Sequence, residues 1–195
     1  MCVTRRTFGT LCGLVFLVNL GRVSFAPLVP TIGATFDASP AVVGSVTTLV
    51  WVGSALPRIP VGYLLTRVPR HYVVLGSGVA LALAAAFTSG AGSIRALQAG
   101  AFAIGLSSGA YFVAAVPLVA ELFPTGRGRA IGIHGAASQL AAVVAPGVVV
   151  AVLVVAGWND VFRLLAVPAL CGHVVLPTVL RRHPLHQGPG AERTL

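Results

Sequence analysis

The sequence predicts an all-α membrane protein of six transmembrane helices, and three observations predict it. Of its 195 residues, 56% are hydrophobic and 9% charged, against about 25% charged in a typical soluble domain, and mean hydropathy is +0.94. Charged residues punctuate the chain into six apolar stretches, each of about the 20 residues that a spanning helix needs. The arginines between those stretches alternate between rich and poor loops. Four acids and thirteen bases cannot coat a soluble core of this size, which excludes a water-soluble enzyme. Intrinsic disorder is excluded too, because disordered chains are poor in apolar residues.

The elements follow in order. The first helix spans about 7–30, pinned at its start by Arg5 and Arg6 and interrupted by Arg22. The second spans about 40–65, interrupted by Arg58, and ends before Arg67. The third covers about 71–89, between Arg70 and Gly90; the fourth covers about 96–120, between Arg95 and Glu121. The fifth covers about 130–156, after Arg129, and the sixth about 161–180, closed by Arg181 and Arg182. Residues 1–182 thus read as one transmembrane domain and 183–195 as a short cytoplasmic tail. The 23 glycines and 13 prolines are usual in spanning helices, where neighbouring helices satisfy the backbone groups that a proline frees. Gly9 with Gly13, Gly105 with Gly109, and Gly128 with Gly132 and Gly135 recur at helical spacing, as small-residue packing stripes do.

Orientation follows from the arginines. With the amino terminus inside, inner segments hold Arg5, Arg6, Arg67, Arg70, Arg127, Arg129, Arg181, Arg182 and Arg193, and outer ones only Arg95 and Arg163. Short inner loops carry the basic excess, so both termini are expected in the cytoplasm of a multi-pass cell-membrane protein. The net charge of +9 does not point to nucleic acid, because the bases are scattered and form no patch. Thr4-Arg5-Arg6-Thr7-Phe8 resembles a twin-arginine export signal, but five further apolar stretches follow it instead of a soluble passenger.

Four loop motifs carry a family resemblance. Gly62-Tyr63-Leu64-Leu65-Thr66-Arg67-Val68-Pro69-Arg70-His71 resembles the loop between helices two and three of the major facilitator superfamily, Gly-x-Leu-x-Asp-Arg-x-Gly-Arg-Arg. Thr66 stands in place of the aspartate and Pro69 in place of the second glycine. Arg95-Ala96-Leu97-Gln98 is similar to the motif that opens helix four. Glu121-Leu122-Phe123-Pro124 with Arg127-Gly128-Arg129-Ala130-Ile131-Gly132 is similar to the loop joining helices four and five. Gly157-Trp158 with Phe162 resembles the start of helix six. The motifs occur in order across residues 60–165.

The resemblance implies half of a major facilitator fold: six helices as two inverted three-helix repeats, the amino-terminal half of a secondary transporter that binds its substrate near the midplane. It implies alternating access, with Gly62, Arg67 and Arg70 in an inner gate loop and Arg95 as a coupling residue. Thr66 cannot supply the charge pairing of the usual aspartate. The antiporter motif of helix five survives only as Ala145-Pro146-Gly147, so uniport, symport and antiport all stay open. The partners implied are the lipid bilayer, a small-molecule substrate, and a second six-helix half or a second copy of the chain.

Polar groups inside the apolar stretches are the candidate site. An arginine near the bilayer centre costs at least about 2.5 kcal/mol, so it faces a cavity or a partner. Arg22 lies roughly 21 Å along helix one, and Asn19 shares its face. Either Arg22 lends a central cavity the positive charge that favours an anionic substrate, or it pairs with backbone carbonyls and snorkels outward. Thr47, Trp51, Ser54 and Arg58 share one helical stripe, either lining the cavity or ending in a snorkelling anchor. Tyr111 and Gln139 are further cavity candidates. His134, close to Arg129, reads as interfacial, and His173 is undetermined. Arg95 is an interfacial anchor or a partner of Asp37 or Asp160.

No enzyme constellation is present in the sequence: no paired carboxylates, metal-ligand spacing, phosphate loop or nucleophile elbow. An intramembrane protease would need more than the presence of Ser107, Ser108 and His173. Cys2, Cys12 and Cys171 have no metal or redox spacing. No catalytic residue, metal or cofactor is therefore expected. The alternative to a transporter half is a non-transporting or truncated membrane scaffold.

Overall fold

The computed structural model describes residues 2–180, with side chains described over 6–169. The expected tail, Arg181, Arg182 and Arg193, and the side chains of Arg5, Cys2, Cys171 and His173 lie outside the described residues. Every described element is helical: α1 (Cys2–Val23), α2 (Phe25–Phe36), α3 (Pro40–Ala55), α4 (Arg58–Leu64), α5 (Arg70–Ser89), α6 (Ile94–Leu122), α7 (Arg127–Val155) and α8 (Trp158–Leu180). Five stretches among the described residues are long and apolar enough to cross a membrane: Arg6–Phe36, Pro40–Leu64, Arg70–Ser89, Ile94–Leu122 and Arg127–Val155. The 23 residues of α8 have the length for a sixth crossing.

Prolines decide where the first two crossings break. A helical proline lacks the N–H and clashes with the carbonyl four residues back. Pro27 acts on Val23, and α1 gives way to α2 at Ser24; Pro60 acts on Leu56, and α3 gives way to α4 at Leu56–Pro57. The first crossing continues through Pro30 to Phe36, beyond the end expected at Pro30, because α2 absorbs that proline internally. It stops at Asp37, which is left-handed at φ 44°, a conformation aspartate tolerates. Pro40 then starts α3, where its missing N–H costs nothing.

α6 lies at the centre, packed against α1, α3 and α5, while α1 packs against α6, α7 and α8, and α5 covers α8. The α3–α6 seam is a backbone contact. A Cβ on Gly109 would sit 2.7 Å from Pro57 Cγ and 3.0 Å from the Ser54 carbonyl carbon, and one on Gly53 would sit 3.2 Å from Gly105 Cα. The packing stripe expected at Gly105 and Gly109 is thus real, with Gly53 as its counterpart on α3. The other two expected stripes form no packing seam among the described residues. A Cβ on Gly9, Gly13, Gly128, Gly132 or Gly135 would meet nothing within 4 Å, because these glycines face away from the neighbouring helices.

Polar side chains stitch the helices where apolar packing in lipid has no hydrophobic driving force. Asn19 Nδ2 donates to the Ser138 carbonyl at 2.7 Å, joining α1 to α7. Tyr111 Oη donates to the Leu11 carbonyl at 2.9 Å, joining α6 to α1. Gln98 Nε2 donates to Ser45 Oγ at 2.7 Å, joining α6 to α3, and Asn159 Nδ2 donates to the Ser89 carbonyl at 2.7 Å, joining α8 to α5. At one end of the bundle, Arg70 forms an ion pair with Glu121 and Phe8 meets Phe123 edge-on at 5.0 Å. At the other end, Phe36 meets Trp158 at 5.8 Å. The α4–α5 and α6–α7 loops therefore share the end at which α1 begins, as an alternating six-pass chain requires.

Candidate functional site

A cavity of about 410 Å³ opens on one side of the bundle, lined by Asn19 and Arg22 of α1, Arg58 of α4, Phe112 and Val113 of α6, and Ser138 and Gln139 of α7. Two breaks shape it. The helix end at Val23 follows immediately on Arg22, and the α3–α4 break at Leu56–Pro57 brings Arg58 round to the same space.

Arg22 is buried despite its charge, with only 9% of its surface exposed. Its guanidinium carbon lies 4.3 Å from the centre of the Trp51 ring and 5.2 Å from that of Phe112, so two ring faces stabilise the cation. Nη1 donates to Ser54 Oγ at 3.3 Å. Nε is buried without a hydrogen-bond partner. The ion pairs among the described residues, Arg70–Glu121 and Arg163–Asp160, do not involve it. A buried cation with spare donors, paired with no carboxylate among the described residues, has the charge and the donors to accept an oxyanion.

Of the six residues expected in the cavity, Asn19, Arg22, Arg58 and Gln139 line it together. Trp51 does not line it but stacks on Arg22, half exposed on α3. Tyr111 is fully buried on another side of α6, where its hydroxyl also lies 3.1 Å from His134 Nε2. Tyr111 spends its own proton on Leu11, so His134 is the donor in that contact. His134 is 3% exposed and sits inside the bundle, between α7 and α6. Its position early in α7 sets its depth, but the helix face it occupies turns it toward α6.

The gate-loop residues are spread along one end. Gly62 is exposed on α4; Arg67 lies over the Tyr63 ring at 5.0 Å and bonds its hydroxyl at 2.5 Å; Arg70 pairs with Glu121 across the bundle end. Thr66 bonds only the nearby Tyr63 carbonyl, at 2.8 Å. Arg95 is exposed at the start of α6. Asp160, weighed as its partner, instead pairs with Arg163 at 2.8 Å and accepts from the Gly157 N–H at 3.1 Å, since both lie within one turn of it.

Sequence reasoning missed Phe112, Val113 and Ser138. Phe112 was passed over for its polar neighbour Tyr111, although adjacent residues on a helix face about 100° apart. Ser138 had a readable signal: with His134 it forms an i, i+4 polar pair on an otherwise apolar helix. Among the described residues, no group of three His, Cys, Asp or Glu side chains could hold a metal ion.

The family model described as Major Facilitator Superfamily matches residues 11–194. No curated protein sequence matches the chain. Among solved structures, the chain is similar to a bacterial homologue of the human lysosomal transporter Spinster in an inward-facing, unoccupied conformation. The TM-score is 0.84 at 18% identity, over 95% of this chain and 44% of that one. It is also similar to the peptide transporter POT in complex with alafosfalin, with a TM-score of 0.78 at 18% identity, over 89% of this chain and 38% of that one. Likeness at that identity establishes the fold. The chain spans less than half the length of either structure.

Proposed function

Because the chain belongs to the Major Facilitator Superfamily, we propose that it is the amino-terminal half of a secondary transporter that moves a small anionic solute by alternating access. The observation that carries the anion is Arg22: buried, stacked on two rings, with an unpartnered Nε and no acid among the residues lining its cavity. Holding a guanidinium at that depth is costly, and a substrate anion repays the cost in the loaded state. Asn19, Ser138 and Gln139 add neutral hydrogen-bonding groups to the same wall.

The other wall belongs to a second six-helix half or a second copy of the chain, because the cavity is open on one side and the neighbouring transporters are more than twice as long. The six helices form two inverted three-helix repeats. The Gly62–His71 loop, held by the Arg70–Glu121 pair, helps close the inner gate, and Arg95 takes part in coupling at the opposite end. Both termini lie in the cytoplasm, with the cell membrane as the site of action; the arginine-rich loops support this orientation.

Vesicle uptake tests the reading. The chain is reconstituted alone and together with a candidate six-helix partner, and uptake of organic and inorganic anions is measured. Uptake is expected only with the partner or with a detectable dimer, and is expected to fall in Arg22→Gln. Undiminished uptake by a chain shown to be monomeric would refute the half-transporter reading, and uptake indifferent to Arg22→Gln would refute the anion site.

A further inference from the structure

We infer that the substrate carries two negative charges on oxygen, because the cavity presents two permanent cations and no carboxylate. The inference rests on the anion reading above and specifies its charge. Arg22 and Arg58 come from different helices, α1 and α4, yet line the same space of about 410 Å³. Neither is neutralised there. The carboxylates among the described residues are Asp37, Glu121 and Asp160; the latter two are engaged by Arg70 and Arg163, and Asp37 caps α2 at the far side of the first crossing. The remaining lining groups are an asparagine, a serine, a glutamine and two apolar side chains, all without charge.

Arginine does not shed its proton in a protein, so both cations persist when the site is empty. Water screens them while the cavity stands open. Once the cavity closes, screening falls and charge balance dominates, because the same charges interact several times more strongly in a low-dielectric interior. A monoanion would leave one uncompensated cation enclosed; a dianion leaves none. The two guanidinium groups differ in how they are held, and this assigns their roles. Arg22 is immobilised between Trp51 and Phe112, with Nη1 on Ser54 and Nε unused, so it offers a fixed set of donors to one oxyanion. Arg58 is exposed on a helix of seven residues that buries none of its side chains. Its long stem lets it follow the second charge. Arg22 therefore sets where the ligand sits, and Arg58 sets how many charges it must carry.

Binding to the chain reconstituted with the six-helix partner or second copy that closes its cavity, in nanodiscs of uncharged phosphatidylcholine and measured with matched pairs of probes, tests this. Succinate is compared with butyrate, and methyl phosphate with dimethyl phosphate, so that carboxylate and phosphate sources of the second charge are read separately. In at least one pair the dianion is expected to bind tenfold or more tightly than its monoanion. Arg58→Gln is expected to erase the tenfold preference for the dianion over its monoanion, and Arg58→Lys, which keeps the charge, to restore it. Arg22→Gln is expected to abolish binding of both. Equal affinity for both members of each pair in the parent chain would overturn the two-charge inference while leaving the anion reading in place, as would an Arg58→Gln effect equal on both members. Absence of binding by all four probes would overturn both.

Discussion

Replacing Arg22 by methionine separates an arginine kept for folding from one kept for its ligand. A charged side chain at mid-helix costs about 2.5–3.5 kcal/mol on insertion scales. Against this stand the faces of Trp51 and Phe112, at 4.3 and 5.2 Å, worth about 0.5–1 kcal/mol each. The Nη1–Ser54 hydrogen bond is 3.3 Å long, which places it at the lower end for a charged group, about 1.5 kcal/mol. The contributions nearly cancel. Methionine fills much of the same volume with no charge to desolvate, and Ser54 can turn to a carbonyl of its own helix, as Ser24 does to Leu20 at 2.7 Å. Arg22→Met is therefore expected to change unfolding free energy, read by denaturant titration in micelles, by less than about 1 kcal/mol. Anion affinity should fall at least about thirtyfold, since removing one member of a buried charge pair costs 2–5 kcal/mol. A loss of stability of about 3 kcal/mol or more, with affinity following the folded fraction, would refute the reasoning and make Arg22 a structural residue.

Two further substitutions test the frame around the cavity. Tyr111→Phe leaves the Leu11 carbonyl and His134 without their partner inside the bundle, and a loss of about 1–3 kcal/mol is expected in thermal melts; an unchanged melting temperature would mean that the contact carries no stability. Gly109→Ala places a Cβ 2.7 Å from Pro57 Cγ, about 1 Å inside ordinary carbon–carbon contact. It should force α3 from α6 at a cost of about 1–3 kcal/mol and weaken anion binding, because Ser54 moves with α3; an alanine variant with parental stability and affinity would show that the seam is loose.

The crossings were legible because hydrocarbon imposes one coarse requirement, an apolar run of sufficient length, and charges mark where each run stops. What the runs do inside was less legible. Arg22 and Arg58 read as the interruptions of the first two crossings, but the chain bends at Ser24 and at Leu56–Pro57, where prolines remove hydrogen bonds. Facing direction was the hardest to read. In water a polar stripe shows which side of a helix is exposed; in lipid both sides are apolar. α7 buries Ala130, His134, Ser138, Ala141, Ala145 and Val149, mostly small or polar, while the larger aliphatics Ile133, Leu140, Val143, Val150, Val154 and Val155 stay exposed, the reverse of the pattern that water imposes. Tyr111, expected in the cavity, turns away from it, while the adjacent Phe112 lines it. Asn19, Arg22, Arg58 and Gln139 could be picked out because their polarity is costly at membrane depth.

The partners of the buried polar groups separate structural residues from the one that is left with work to do. Ser24, Ser77 and Thr88 turn back to carbonyls of their own helix region, at 2.7, 2.8 and 2.6 Å, and so cancel their own polarity without involving a neighbour. Asn19, Gln98, Tyr111 and Asn159 bond across helices at 2.7–2.9 Å and fix α1 to α6 and α7, α6 to α3, and α8 to α5. Arg22 belongs to neither group. It carries a full charge, holds one long hydrogen bond to a neutral hydroxyl, and keeps a buried donor free. A residue whose sole duty was to join α1 to α3 could do so as a neutral amide at far lower desolvation cost, so the proposed anionic substrate accounts for a charge that the neighbouring side chains do not.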